Sequence, residues 1–414
     1  MAGTTEASIA DWLERNYQPP KLGNTALKDA PLTAWLPHDE SAGGLNMTLR
    51  WDYKIPQGQG KTYSQAKTRA DASGLTAAQV VLDYQTWYSI VTIDNPAIER
   101  AQGGSLSAVT DVIQKDIRRN LEGHGDFLET VMFSDGYPSL GAVNNISGST
   151  CTVSVEDIEK WEVDQAVRLA ASRTTGAQRA GAELIVTKVD RSASPPLITF
   201  NAGIVATVAA AVNGDFAFVS TSRDDTATAQ TALGIAAFIP TSVSGADAFG
   251  ATSFNRSVDA QRLAGLRLPI AAGSSVQQGM VDLFVRCRKY KLRPDALWCS
   301  YERWGQLISE LGNNVHYVNF ENQKYGLTIE GVRLFTAGGE VAVMPSPKCP
   351  DANVYALNRK SWKIASVNGA LIRPSTRYQK ALDSSTGDSV ELRWRSFHQL
   401  ACLEPMQNAV GIFQ

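Results

Sequence analysis

The features missing from this sequence narrow its chemistry first. Its five cysteines, Cys151, Cys287, Cys299, Cys349 and Cys402, include no pair at C-x-x-C spacing. An odd, dispersed set excludes a disulfide framework and reads as buried free thiols in a reducing compartment. A basic surplus is missing as well. The formal net charge of −2 argues against holding nucleic acid through overall positive charge, although a local basic patch stays open. No run approaches the roughly 20 apolar residues that span a bilayer. The opening MAGTTEASIADWLERNYQPP lacks the basic start and apolar stretch of a secretory signal. The expected product is soluble, makes no membrane contact and is made in a cytoplasm.

Catalytic signatures are missing too. His38, His124, His316 and His398 lie far apart, without an H-E-x-x-H pair or a Cys/His ligand cluster, and each reads as a surface or interface residue. Neither G-x-S-x-G nor G-x-G-x-x-G occurs. Gly58-Gln-Gly-Lys-Thr62 resembles the end of a phosphate-binding loop, but the first glycine of that motif would fall at Ile55. The tract also lies in a polar stretch where the motif needs a strand-to-helix link, so it reads as a basic loop tip. Asp224-Asp225 and Glu156-Asp157 read as solvated turn residues. No catalytic, cofactor-binding or metal-ligating residue is assigned, and the chain is not expected to be an enzyme.

What the chain does have is bulk and pattern. Its 414 residues, 43 % apolar and 19 % charged, are globular in composition and too many for one core, so two or three units are expected. Residues 1–45 are broken by Pro19, Pro20, Pro31 and Pro37 and strand the apolar Trp12, Leu13, Trp35 and Leu36 among polar neighbours. Such a segment reads as an arm lying across another surface. Asn46–Tyr53 alternates Met47, Leu49, Trp51 and Tyr53 with polar residues, the period of a strand. A polar tract rich in Gly, Gln and Lys separates it from Ala78–Val91, which is rich in β-branched and aromatic residues. Together they predict a long β-hairpin, barely stable alone and in need of a partner surface.

Residues 105–132 predict the longest helix, with Leu106, Val109, Ile113, Ile117, Leu121, Leu128 and Val131 on one stripe and a bend near Gly123. Residues 150–240 switch to short strands at Asp157–Val163, Gln165–Leu169, Leu184–Val189, Leu197–Phe200 and Phe216–Val219, as in a small barrel or sandwich. Residues 250–345 are mixed. Ser275 with Gln278 opens a helix, Ala296–Cys299 is a strand, Ser300 caps a second helix that Gly312 ends, and strands resume at Leu327–Leu334 and Val341–Met344. The basic run Arg286–Arg293 suits the negative end of the first of these helices. The last part is mainly strands: Val354–Leu357, Trp362–Ile364, Val390–Arg395 with Val390, Leu392 and Trp394 on one face, and Ala409–Phe413.

This order of arm, hairpin, long helix, β-rich insert, α/β part and closing strands resembles the tailed-bacteriophage major capsid family, the Hong Kong ninety-seven type shell fold. Leu292-Arg-Pro-Asp-Ala-Leu-Trp-Cys-Ser-Tyr-Glu-Arg-Trp304 is similar to the family's step from proline-aspartate through a strand into a helix. Gly338–Trp362 resembles its strand, proline turn, valine-tyrosine strand and tryptophan, and Glu391–Pro405 with Asn408-Ala409 its closing strands. The resemblance implies an α+β fold with a P-domain (a long spine helix plus sheet), an A-domain, an extended E-loop hairpin and an N-terminal arm. Here a small β-barrel or sandwich is inserted, which many relatives lack. The implied division is arm 1–45, E-loop 46–94, spine 95–149, insert 150–240, A-domain 241–345 and closing A/P-domain strands 346–414.

It further implies pentamers and hexamers of this chain, closed by heterologous contacts into an icosahedral shell around double-stranded DNA, which it would touch weakly and non-specifically. Scaffolding and portal proteins would be partners, a decoration protein is left open, and the place would be the virion, assembled in the cytoplasm of a bacterial host. Trp12, Trp35, Trp51, Tyr53, Lys54, Lys61, Tyr63 and Lys67 are the expected inter-subunit contacts. Some relatives join an E-loop lysine to a P-domain asparagine. Lys54, Lys61 and Lys67 could supply the amine, but Ala381–Ser389 holds Asp383 and Asp388 and no Asn, so no crosslink is expected. With only about 45 residues before the hairpin, a separate scaffolding protein is expected. Three alternatives stay open: an encapsulin-like compartment, a tail or baseplate component, and a β-rich carbohydrate-binding or hydrolytic protein that would carry aromatics on residues 150–240.

Overall fold

The computed structural model describes residues 26–54, 58–72, 76–94, 106–173, 178–220, 231–243, 256–312, 316–322, 327–336, 338–367, 369, 371–374, 382–383 and 389–414. In chain order its elements begin with α1 (Pro31–Trp35), β1 (His38–Ala42), β2 (Asn46–Lys54), α2 (Tyr63–Ala72), β3 (Thr76–Asp83), β4 (Gln85–Asp94) and α3 (Leu106–Phe133). Next come β5 (Ser139–Ala142), β6 (Asn144–Ser147), β7 (Thr150–Thr152), β8 (Ala166–Ala170), β9 (Leu184–Asp190), β10 (Leu197–Phe200), α4 (Ile204–Thr207), β11 (Phe216–Val219) and α5 (Ile235–Phe238). The remainder comprises α6 (Ala260–Ala264), β12 (Leu266–Ile270), α7 (Val276–Lys289), β13 (Ala296–Cys299), α8 (Tyr301–Leu311), β14 (Tyr317–Asn322), β15 (Leu327–Thr336), β16 (Gly339–Pro345) and β17 (Asn353–Leu357). It closes with β18 (Trp362–Val367), β19 (Arg373–Pro374), β20 (Leu382–Asp383), β21 (Ser389–Cys402) and β22 (Ala409–Phe413). The class is mixed α+β.

The chain forms two compact units, Ser134–Leu233 and the residues on either side of it. The β-rich unit therefore starts before 150 and ends before 240. The early start follows from β5, β6 and β7: β11 pairs β5, and β6 with β7 closes the far edge of the sheet β5-β11-β8-β9-β10-β7-β6. Its core holds Trp161, Phe200, Val167, Leu184 and Ile198, with the Trp161 indole donating to the Leu140 carbonyl at 3.1 Å. The strand expected at Asp157–Val163 is a single 3-10 turn, Ile158–Lys160, because Asp157 binds Ser154 Oγ and Lys160 locally. Gly141 lies at φ +112, and a Cβ there would meet the Asp157 carboxylate at 2.3 Å, so no other residue fits.

In the larger unit one sheet, β12-β22-β17-β13-β16-β15-β14, packs on α7 and α8 through Met280, Leu283, Phe284, Leu297 and Leu307. The expected caps are in place: Ser275 Oγ accepts from Gln278 N–H at 3.2 Å and Ser300 Oγ from Arg303 N–H at 3.2 Å. The Glu310 carboxylate adds a second cap to α7 by accepting from Val276 N–H at 3.0 Å and Gln277 N–H at 2.7 Å. At its other end Arg288 lies over the Phe284 ring at 4.9 Å.

The second sheet centres on β21, which pairs β4, β18, β19 and β20, with β1 beyond β18. Leu392, Trp394, Ser396, His398 and Leu400 form its buried face. On the same face Trp87 of β4 stacks on Phe127 of α3 at 3.8 Å, so the long helix packs on this sheet. Helix α3 is uninterrupted through Gly123, and Ile117, Leu121, Leu128 and Val131 are buried as its stripe requires. At 1.5 Å per residue it is about 40 Å long. Gly125 allows the chain near Ala26 to cross: a Cβ at Gly125 would lie 1.6 Å from the Ala26 carbonyl oxygen.

Three expectations are corrected here. The strand read across Ala78–Val91 breaks at Tyr84: β3 pairs β2 and buries Val80 and Leu82, whereas β4 leaves for β21 and stacks Trp87 on Phe127 of α3. Residues Ala26–Leu36 are not stranded; Leu27, Leu32, Trp35 and Leu36 are buried in this unit. His124 and His398 are buried, not surface residues.

All five cysteines are buried, and none is in a disulfide. Burial pushes the Cys151, Cys287 and Cys299 thiols up to about 12 and raises that of Cys402. Since the thiolate is the nucleophile, the native chain should react with no more than a trace of an aromatic disulfide reagent at pH 8, and all five thiols should react in denaturant. A fast-reacting thiol in the native protein would contradict this packing.

Candidate inter-subunit surface

The hairpin β2–β3 runs in antiparallel register from Asn46↔Asp83 to Asp52↔Ala77 and belongs to no larger sheet among the described residues. Its inner face is covered by its own unit. Leu49, Val80 and Leu82 are buried, and Trp51, 2 % exposed, donates its indole N–H to the Cys402 carbonyl at 2.8 Å and meets the Phe238 ring edge-on. Trp35 is also 2 % exposed and packs edge-on against Trp298 with centroids 5.6 Å apart. Arg359 holds this segment by donating to the Trp35 carbonyl at 2.8 Å. As inter-subunit contacts Trp35 and Trp51 are therefore corrected: their apolar surface is spent inside the chain. Trp12 and the side chains of Tyr53 and Lys54 lie outside the described residues.

The other end of the hairpin is different. The polar tract read as a loop tip carries α2, whose N-terminus is capped by Thr62 Oγ1 accepting from Gln65 N–H at 3.3 Å. Of its described side chains all are exposed except that of Ala66, and Tyr63 is 83 % exposed. Lys61, Lys67 and Arg69 stand against one carboxylate, Asp71, which Lys67 meets at 3.0 Å. The helix was missed because it has no apolar stripe; the Thr62 cap and the run Ser64–Ala72 free of Gly and Pro were the available signals. Thus Lys61, Tyr63 and Lys67 are brought together on one solvent-surrounded tip, and Trp35 and Trp51 are not.

A second exposed area, which sequence reading did not single out, is the outer face of the β21 sheet. There Tyr88 (52 % exposed) and Ile90 (49 % exposed) lie opposite Arg395 and Arg393 in register. Arg373 of β19 faces Arg395 from the other side, and Glu391 accepts from Arg393 Nε at 2.8 Å. Tyr84 meets Phe397 edge-on at 5.8 Å. The alternation of β4 did carry this signal, since Thr86, Tyr88, Ile90 and Thr92 share one face. Aromatic and arginine side chains on an open sheet face are the composition of a contact surface.

The aromatic platform that a carbohydrate-binding protein would need on the β-rich unit is not found among the described residues. Trp161 and Phe200 are in its core, Phe218 is buried, and Phe238 belongs to the larger unit, against Trp51 and Trp362. No group of three or more His, Cys, Asp or Glu side chains among the described residues could hold a metal ion. No helix of the described residues is long and apolar enough to cross a membrane.

No family model matches the sequence, and no curated protein does. Among solved structures, a chain of the cyanophage A-1(L) capsid asymmetric unit is similar over 93 % of this chain and 93 % of its own, at 12 % identity and TM-score 0.47. For the holo-SrpI encapsulin complex of Synechococcus elongatus PCC 7942 the values are 93 %, 88 %, 8 % and 0.44. A structure from Mycobacterium phage Bobi is similar over 100 % of this chain and 99 % of that one, at 10 % identity and TM-score 0.42. The chain is thus similar, at low identity and over nearly its whole length, to chains from a phage capsid, a second phage and an encapsulin.

Proposed function

We propose that this chain is the structural subunit of a tailed-bacteriophage capsid, assembling as pentamers and hexamers into an icosahedral shell around double-stranded DNA. The observation that carries the reading is α2. A ten-residue helix is marginal in water by itself, and none of the described side chains of this one is buried to hold it. Its natural support is a second copy of the chain, which an E-loop tip reaching over a neighbour provides. The long helix on the β21 sheet would be the P-domain, the β12–β17 and β22 sheet with α7 and α8 the A-domain, and Ser134–Leu233 the insert. Scaffolding and portal proteins would act in assembly, in the host cytoplasm, and the shell would be part of the virion.

Sedimentation and negative-stain microscopy of the purified chain test this. Expected are discrete five- and six-fold rings or closed shells. Replacing Gly58–Ala72 with a short Gly-Ser linker should reduce shells at least tenfold while circular dichroism stays native. A wild-type chain that remains monomeric at every concentration, with or without a polymeric crowder, overturns the reading. Nuclease-protected DNA, not protein cargo, in particles from cells separates it from the encapsulin-like alternative.

A further inference from the structure

Three of the four histidines come from separate elements: His124 from α3, His398 from β21 and His38 from β1. His398 pairs with Ser366 of β18 and Gln85 of β4 and points to the face covered by α3. His38 shares that face through its partner Ile364, and its Nε2 lies 2.9 Å from the Thr33 carbonyl oxygen. His124 and His398 are 2 % exposed, and neither ring nitrogen of either has a hydrogen-bond partner in the chain. Two imidazoles without partners in a helix–sheet contact are tolerated only while neutral, because burying a charge there without a counter-ion is costly.

Nothing facing them supplies that counter-ion. On α3, Glu122 pairs with Arg118, Asp126 is exposed beside Lys348, and Glu129 is satisfied by donors of its own. On β1, Asp39 points to the other face and pairs with Lys363 of β18 at 3.2 Å. The neighbours on β4 and β21, Gln85, Trp87, Ser396 and Leu400, carry no charge. The charged groups that act on His398 are the other two imidazoles, and protonating either would disfavour protonating the next.

We propose that His124 and His398, with His38 beside them, form a proton-operated latch between the long helix and the β21 sheet, shut at neutral pH and opened by acid. Burial holds His124 down at about 4 and His398 at about 3, against 6.5 for both. The unfolded or opened chain then binds more protons than the closed one below 6.5, so closure weakens as pH falls from there towards those values. Acid drives the helix from the sheet, and the Trp87–Phe127 stack separates. The latch lies within one subunit, so it stands or falls separately from the shell assignment.

The test uses the unassembled full chain. Hydrogen exchange of α3 and Trp fluorescence are followed from pH 7 to pH 3 for wild type and for His124→Leu, His398→Leu and their combination. Opening of the wild type is expected below pH 6, with the double variant opening about one pH unit lower. An unmoved midpoint in a folded double variant overturns the proposal. Should that variant not fold, ring-labelled histidine NMR of the wild type decides. Two imidazoles that stay neutral until α3 opens support the latch, and titration of His124 and His398 near 6.5 with the fold intact overturns it.

Discussion

Glu129→Ala should destabilise the larger unit by about 4 kcal/mol, seen as a drop of about 10 °C in thermal midpoint. Helix α1 begins at Pro31, which has no N–H, and Ala30 provides no side-chain cap. Its first two available donors, Leu32 N–H and Thr33 N–H, go instead to the two oxygens of Glu129 at 3.0 and 2.9 Å. Thr33 Oγ1 and Ser346 Oγ add two bonds at 2.7 Å each. One buried carboxylate thus ties the N-terminal segment, the long helix and the turn after β16 together. Alanine leaves two buried backbone donors orphaned, each costing about 1–3 kcal/mol. Glu129→Gln keeps the shape and one acceptor, so it should cost about half as much.

The pH dependence of this clasp runs opposite to that of the histidines. Burial outweighs the four bonds and holds the Glu129 carboxyl above its ordinary value. The folded chain therefore keeps that proton more readily than the unfolded one, and the contribution declines as pH rises through the folded value. Glu129 does not weaken the fold in acid. A Glu129→Gln variant should lose this term, and denaturant midpoints of variant and wild type compared between pH 5 and pH 8 should differ most at the lower pH. Equal differences at both ends would contradict the direction.

Asn408→Leu is expected to cost about 3–5 kcal/mol, comparable with the largest single-residue losses. Asn408 is fully buried between the two sheets of the larger unit. Its Oδ1 accepts from Asn358 N–H at 2.8 Å and from the Trp362 indole at 2.9 Å, and its Nδ2 donates to the Glu404 carbonyl at 3.0 Å and to Ser361 Oγ at 2.8 Å. Its own carbonyl accepts from Leu266 N–H at 3.0 Å, starting β12 on β22. Leucine fills the volume and leaves three or four polar groups without partners, where the penalty is largest. Asn408→Asp keeps the acceptors but loses both donors and buries a charge, so it should not rescue. Urea unfolding of the three chains ranks them, and a Leu variant within 1 kcal/mol of wild type would refute the hub, since about 1 kcal/mol is the effect of an ordinary substitution.

Much of the architecture was legible because its causes are local. The Ser275 and Ser300 caps, the stripe of α3, and the short strands Leu197–Phe200, Phe216–Val219, Ala296–Cys299 and Ala409–Phe413 all follow from neighbours within a few residues. The candidate surface was read less well. Lys61, Tyr63 and Lys67 were placed on an exposed tip because a polar run has nothing to bury, and the tip is exposed. Trp35 on the arm and Trp51 on the hairpin strand read as contacts to another chain, because nothing near them in sequence covers them. Isolation in sequence, however, says nothing of what a segment over 250 residues away brings, as Trp298 and Cys402 do.

By itself, then, the sequence determined which stretches become helix or strand, where most begin and end, and that a distinct β-rich unit interrupts the chain. Only the tertiary structure decided which apolar faces stay uncovered, that β3 and β4 part at Tyr84, and that Glu129 caps a helix 96 residues before it. The physical reason is range. Dihedral preference, periodicity and capping act over about one turn or one pleat, whereas burial is settled by whichever distant face arrives, and that leaves no mark in the local pattern.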